Sequence, residues 1–505
     1  MNLKLMLEQT VKQYGGKTAV AMGDSRLSYA QLDEASNKVA NALIGMGVSK
    51  GDRVAMLLSN SPEFATTYFG VVKAGGIAVL LDTKYKLTEL TSLFNDSQPK
   101  VLVTESPLLK PIVPSLPGFK SIARVIEVGS EGEGQFLSYQ QIMATSSARP
   151  VAVGLEPEDT AHIAYTSGPS FNPRGAVMSH QALVREAAIS GDGFQQTDKD
   201  IVVLFALPMH HAFGLVVILL TAIAKGSTVI ILPGLSISNL MEVIEKEKAT
   251  IFMAVPFVHT LIVNTAEEEG IKHDLSSLRL WGTAGAAMPA NIGQKIRQHL
   301  GLTAVDFWGM TESAAHVTCQ SPDGRGKPGS VGKALPGWEL KIVDDDGREL
   351  PPNQPGEIIV RGPIMTEHYN NPQATAEAIK NGWLYTADIG RVDEEGWLFL
   401  STGRRKDVII AKGQNIYPSD IEQVLAGHPK VAEVAVVGIR DEMRGETPRA
   451  IIRLKAGEVA TEQEIKKFCL KRLANYKVPR EVIFADSLPR TADGKIDKES
   501  LRSLS

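Results

Sequence analysis

The chain has 505 residues, more than one hydrophobic core usually supports, so two or more domains are expected. It is 43% hydrophobic and 22% charged, with a formal net charge of −4; this ordinary globular composition offers no basic excess for nucleic acid and no polybasic tract for a membrane surface. Only Cys319 and Cys469 are present, without a CxxC pair or Cys/His cluster, which argues against a disulfide framework or a zinc site and for a reducing, cytoplasmic setting.

The first residues, MNLKLMLEQTVKQYGG, carry no sustained apolar core and no small-residue cleavage site, so no signal peptide is expected. From about residue 20 to 310, apolar β-type runs alternate with helical patterns. The run 53-RVAMLL-58 precedes 61-SPEFATTYFGVVKAGG-76, where Ser61 can cap a helix, Pro62 can open it and Gly75-Gly76 can stop it. Further strands are expected at 77-IAVLL-81, 201-IVVLFAL-207, 227-STVIIL-232, 250-TIFMAV-255 and 303-TAVDF-307. Strands alternating with helices imply largely parallel sheets covered by helices. The most apolar run, 212-AFGLVVILLTAIA-224, is too short to span a bilayer and reads as a buried helix or strand.

Beyond about residue 335 the texture changes. The segment 338-WELKIVDDDGRELPPNQPGEIIVRG-362 predicts strands joined by Asp-Gly and Pro-Gly turns. The segment 403-GRRKD-407 reads as a hinge. After it, 419-SDIEQVLAGHP-429 carries a Ser419/Glu422 capping-box pattern, strands are expected near 433–439 and 448–454, and a helix should start at Thr461. The fold class expected is therefore α/β: an N-terminal domain over 1–403 of helix-covered mixed sheets with a β-rich subdomain at about 335–403, a hinge at 404–407, and a small α+β C-terminal domain over 408–505.

Five stretches carry chemistry. In 165-YTSGPSFNPRGAVMSH-180, an apolar strand runs into hydroxyls, a glycine and a cation, the ingredients of a phosphate-cradling turn. Alone, such a cluster is more often a solvated loop. The run 282-GTAGAAMP-289 suits close approach by a flat ligand. The run 306-DFWGMTES-313 offers a ring, a glycine, a hydroxyl and a carboxylate. The run 382-GWLYTADIG-390 places Asp388 in a turn before a hairpin, and 487-SLPRTADGKIDK-498 exposes Lys495.

Together these stretches resemble the adenylate-forming superfamily of acyl-CoA synthetases, luciferases and peptide-synthetase adenylation domains. The resemblance covers essentially the whole chain, and 207-LPMHHAFGL-215 and 411-AKGQNIYPSDIE-422 read most like fatty-acyl and aryl-CoA synthetases. It implies an enzyme that joins a carboxylic acid to ATP as an acyl adenylate, releases pyrophosphate, and passes the acyl group to coenzyme A. Lys495 would bridge carboxylate and α-phosphate, where charge develops and a cation is needed. Glu312 would hold Mg²⁺ against the phosphates, and Thr311 would contact the α-phosphate. Thr166, Ser167, Gly168, Ser170 and Arg174 would form the phosphate loop. Gly285, Ala286 and Ala287 would line the adenine face, within a nucleotide site that also takes in Asp306, Phe307, Trp308 and Gly309. Asp388 and Arg404 would take the ribose hydroxyls. His211 would sit beside the acyl carboxylate, with His210, Gly214 and Val255 around the acyl pocket. Lys406 falls at the hinge, about which the C-terminal domain rotates between half-reactions, and Lys412 and Gly413 match the loop brought to the CoA thiol.

Departures matter. Pro169 removes a backbone donor and Phe171 disfavours φ > 0, at two positions where the family's loop has a hydroxyl residue and a glycine. Trp308 stands for the usual tyrosine, and Ala387 for the usual glycine beside Asp388. The readings are an acyl-CoA synthetase for a fatty or aromatic acid, a ligase for another acceptor such as a carrier-protein thiol or an amine, or an acyl-binding pseudo-synthetase. His210 or His259 offers recognition of a polar acyl substituent. No nucleic-acid partner or membrane span is expected, and a homodimer is left open.

Overall fold

A computed structural model describes residues 1–505 except 131–134, 167–173, 287, 405–407, 491–495 and 503–505. The chain separates into two compact units. The first comprises Met1–Thr83, Ser97–Tyr165 and Gly175–Gly403; the second comprises Lys84–Asp96, Thr166–Arg174 and Arg404–Ser505.

Why the strands form is visible in their burial. Val54, Ala55, Met56 and Leu57 follow one another in the strand Arg53–Leu57 and are all buried. A parallel strand with both faces covered needs such a continuous apolar run. Among the described residues, this strand lies in an eight-stranded sheet beside Ile77–Leu80 and Val101–Glu105, to both of which it is parallel. A nine-stranded sheet holds Ala304–Trp308, Leu280–Thr283, Ile251–Ala254, Ile201–Phe205 and Thr228–Leu232 side by side, all parallel. Its edges turn antiparallel at Thr318–Cys319 and at Ser25–Ser28. The expected helix runs Pro62–Lys73: Ser61 accepts from the Phe64 N–H, Pro62 occupies the first turn, and Gly75 adopts φ +76° just beyond the end. A further sheet pairs Glu339–Val343, Gly356–Arg361 and Trp383–Val392 antiparallel, in the region read as β-rich.

The apolar run after His211 is a helix. Phe213–Leu220 winds as a π-helix with Gly214 through Leu220 buried, and continues as the α-helix Thr221–Lys225. Among the described residues, no helix is long and apolar enough to cross a membrane.

In the second unit, Val431–Asp441 and Gly445–Leu454 form a long antiparallel pair, with Glu481–Phe484 parallel to the latter. Ile421, Leu425, Val436, Ile452, Ile465 and Cys469 make its core. The helix from Thr461 forms as expected, Thr461 accepting from the Glu464 N–H. The Ser419/Glu422 capping box does not form. Tyr417 is the N-cap of Pro418–Ala426, because Pro418 is pre-set for the first helical position and moves Ser419 inside. Glu422 instead accepts from the Val436 N–H (2.8 Å) and pairs with Lys498 (2.8 Å).

Candidate active site

Several residues expected at the nucleotide, Gly285, Ala286, Trp308 and Gly309 among them, lie at or just beyond strand ends of the first unit. Parallel α/β sheets bind ligands there because chain reversals expose backbone groups at the carboxyl edge. The strand Leu280–Thr283 leads into Gly285, which adopts φ +84°; Gly285 is exposed and Ala286 half-buried. Ala287 lies outside the described residues. On the neighbouring strand, Ala304–Trp308, the buried Trp308 donates its indole N–H to Asp388 Oδ2 at 3.1 Å. A ring and a carboxylate 80 positions apart in the chain thus meet.

Asp388 is not in a turn. It sits inside the strand Trp383–Val392, directly after Ala387 at φ +61° and opposite a register shift between Glu357 and Ile359. This is a β-bulge, which re-aims a side chain out of the ladder. Ala387 N–H donates to Glu357 Oε1 (3.0 Å), and Asp388 N–H to Thr386 Oγ1 (3.1 Å). These bonds hold alanine in a left-handed conformation that costs a Cβ-bearing residue about 1–2 kcal/mol.

Gly309 follows Trp308 because nothing larger fits: a Cβ there would stand 2.0 Å from the Ala315 carbonyl oxygen. The chain then turns through the short helix Thr311–Ser313, whose Ser313 hydroxyl accepts from Met310 N–H. Thr311 and Glu312 are half-buried on this turn, and the Glu312 carbonyl accepts from Met365 N–H at 2.8 Å. On the strand, Asp306 is half-buried and its carboxyl is lifted to about 7 by burial.

Behind this edge lies a buried polar network that sequence reasoning missed. Glu186 accepts from Trp338 Nε1 (3.0 Å) and Ser190 Oγ (3.1 Å), and Ser190 Oγ meets His316 Nδ1 at 3.0 Å. His316 stacks on Phe194 and meets Phe307 edge-on. Burial holds Glu186 well above the usual carboxylate range, against the hydrogen bonds it accepts.

Near the residues expected at the acyl pocket, Asn60 clamps the turn after Ile201–Phe205, donating to Leu207 O and accepting from Met209 N–H, both at 2.7 Å. His210 Nε2 lies 3.5 Å from Asp82 Oδ1, and the His210 and His211 rings are 4.6 Å apart. One ligand-type atom from each of Asp82, His210 and His211 lies within 4.8 Å of the others. Asp82 was not foreseen, though a carboxylate directly after the apolar strand 77–81 is where a parallel strand presents site residues. Phe213 packs edge-on against the buried Phe307, with ring centroids 5.2 Å apart. Gly214 is pressed onto this turn, since a Cβ would lie 2.2 Å from the Pro208 carbonyl oxygen. Val255 is buried at the N-cap of the helix Pro256–Glu269.

His259 cannot read a substrate substituent. It is fully buried, accepts from Trp281 Nε1 (2.9 Å) and donates from Nε2 to Gly282 O (3.1 Å), so both nitrogens are used. Burial lowers it to about 4.

The other expected residues fall in the second unit or outside the described part. Arg174 begins the strand Arg174–Ser179 and is half-buried. Lys412 and Gly413 form a tight turn between Ile409–Ala411 and Gln414–Ile416, at φ +53° and +76°. Lys412 is lowered by burial first, then by Arg444, Arg480 and Lys84. Ser167, Gly168, Ser170, Lys406 and Lys495, with Pro169 and Phe171, lie outside the described residues, as do the side chains of Thr166 and Arg404.

The family described as AMP-binding enzyme matches residues 7–370, and its C-terminal domain matches 420–495. An indoleacetate–CoA ligase of Aromatoleum aromaticum is 35% identical over 97% of this chain and 95% of its own length. A long-chain-fatty-acid–CoA ligase of Mycobacterium tuberculosis is 34% identical over 95% of the chain and 93% of its own. Among solved structures, an amide bond synthetase from Marinactinospora thermotolerans superimposes with a TM-score of 0.89 at 27% identity, covering 100% of this chain and 99% of that one.

Proposed function

The chain belongs to the AMP-binding enzyme family and is an ATP-dependent, AMP-forming acyl-CoA ligase, and from that premise we propose that its acid is apolar, fatty or aromatic, received between His211 and the Phe213–Phe307 pair. The observation that supports this reading is the edge-on pair of Phe213 and Phe307, the former two residues beyond His211 in the chain.

In this reading one oxygen of the acid attacks the α-phosphorus of ATP, and pyrophosphate leaves with the bridging oxygen. The CoA thiol then attacks the acyl carbon, AMP leaves, and the thiol proton is released. Trp308 presents its face to adenine, and Asp388, which accepts from the indole N–H, takes the ribose diol. Thr311 donates toward the α-phosphate, and Lys495 neutralises charge as the two anions approach. His211 holds the acid's carboxylate. Glu312 suits Mg²⁺, a hard cation that takes one or two carboxylates beside substrate phosphates, and when bound the ion neutralises phosphate charge. The 404–407 hinge, acting through Lys406, exchanges Lys495 for the Lys412–Gly413 loop between half-reactions. The buried free thiols Cys319 and Cys469 suit a cytoplasmic setting.

The test is acid-dependent pyrophosphate release across fatty acids of graded length and a set of aryl acids, with CoA adducts identified by mass. Turnover confined to charged or short polar acids sinks the apolar assignment. A second reading, transfer to an amine, is favoured by the likeness to an amide bond synthetase, since one fold serves different acceptors. Amide product formed in preference to thioester, with CoA and amine both present, selects it.

A further inference from the structure

The segment 84-KYKLTELTSLFNDS-97 follows the strand Ile77–Leu80 of the first unit and precedes the strand Val101–Glu105, yet residues 84–96 belong with the C-terminal residues in the second unit. Its helix, Leu87–Ser97, carries Glu89 in the first turn. Glu89 is fully buried. Its Oε1 accepts from Lys477 Nζ at 2.7 Å, and its Oε2 accepts from Ala474 N–H at 3.0 Å. Lys477, also fully buried, donates to Asp420 Oδ2 at 3.0 Å, and its ammonium lies 5.2 Å from the Tyr85 ring centroid. Burial pulls Lys477 down, but Asp420 and Glu89 outweigh it and hold the ammonium charged.

Three ionisable groups with no access to water add little net stability, because desolvation offsets their attraction; what they supply is register. The groups are unequally tied. Asp420 and Lys477 both belong to the stretch Arg404–Ser505 and pair within it. Glu89 arrives on a different stretch of chain, and its Oε2 also accepts from Lys86 N–H on its own helix at 3.0 Å. Withdrawn, Glu89 keeps that partner and gains water, while Lys477 keeps Asp420. The contact can therefore open without stranding a charge.

We infer that Glu89 is a positioning residue for the ligase reaction: acting through Lys477 and Asp420, it docks the C-terminal residues in the arrangement that serves one of the two half-reactions. This rests on the alternation of the C-terminal domain proposed above. Among the described residues, none of those expected to recognise adenine, ribose or the acyl group is bonded to Glu89, so its removal changes the partition between steps and leaves the chemistry of each intact.

The experiment measures the half-reactions separately on the full chain. Adenylation is followed as pyrophosphate release with dodecanoate and with 4-coumarate; thiolysis is followed as CoA consumption from supplied dodecanoyl-AMP and 4-coumaroyl-AMP. Glu89→Ala is expected to change the ratio of the two rates about tenfold, the scale of one hydrogen bond to a charged group, with Glu89→Gln, which keeps an acceptor, lying between it and wild type. Equal loss in both steps, or no change in either, overturns the proposal. Amide hydrogen exchange at Ala474 gives a reading independent of the acid: its protection in wild type is expected to differ between protein saturated with ATP and protein saturated with CoA. Identical protection in both overturns it as well. If Lys495→Ala lowers both half-reactions equally, the alternation reading itself fails, whatever Glu89→Ala does.

Discussion

Glu186 in the first unit and Glu89 in the second are both fully buried glutamates, and their surroundings differ in kind. Glu186 is met by an indole N–H, a hydroxyl and a neutral histidine beyond it, and among the described residues no cation is paired with it. Burial pushes its carboxyl well above the usual carboxylate range. Glu89 is raised by burial, but it is met by an ammonium shared with a second carboxylate that pulls it back down. A neutral network makes a rigid backing for the strand that carries Phe307 and Trp308. An ionised contact between separate stretches of chain makes a register that can be taken up and given up. The same residue type is thus spent on stiffness in one unit and on docking in the other.

The sharpest way to break this contrast is Lys477→Met, which leaves Glu89 and Asp420 buried without their cation. A loss of about 3–5 kcal/mol is expected, read as a lowered denaturant midpoint for the second unit. A loss under about 1 kcal/mol would mean the carboxylates are not ionised there.

Acid should act first on the unit with neutral polar groups. Burial lowers His180 and His259 to about 4 from an ordinary 6.5, so they bind protons only on unfolding as pH falls from about 6.5 toward 4. The unfolded state then holds more protons, and stability drops across that window. Thermal unfolding between pH 7 and 4.5 should show the midpoint falling, and His259→Gln should flatten the slope; an unchanged slope removes His259 from the account.

Trp308→Phe keeps a ring but deletes the donor to Asp388. A hydrogen bond to a charged group contributes about 1.5 kcal/mol, so the KM for ATP should rise roughly tenfold with a smaller change in kcat. A change in kcat alone would place Trp308 outside ribose positioning. The smallest effect is expected from Glu186→Gln, which replaces one uncharged acceptor by another; a stability change within about 1 kcal/mol sharpens the contrast with Lys477→Met, and a large one means Glu186 is ionised.

Much of this was legible in advance because it depends on neighbours in the chain. The run 77-IAVLL-81 could only be a buried strand, and Ser61-Pro62 with Gly75 bounded a helix by local hydrogen bonding and φ preference. Short-range reasoning failed where two local signals competed, as when Pro418 displaced the Ser419 cap, and where an alanine took a glycine's conformation at 387. It also could not rank histidines. His210, His211 and His259 look alike in apolar surroundings, and only the position of Trp281 and Gly282 shows that His259 is fully occupied.

By itself, then, the sequence determined the alternation of strands and helices, the order of the motifs and the class of chemistry, because periodicity, turn residues and motif spacing are properties of short segments. Tertiary structure alone decided that Trp308 meets Asp388, that Asp82 stands by His210, and that Glu89 reaches Lys477 across 388 positions of chain. Those contacts exist because sheets stack distant strand ends together and because a buried charge is tolerated only where the fold brings it a partner.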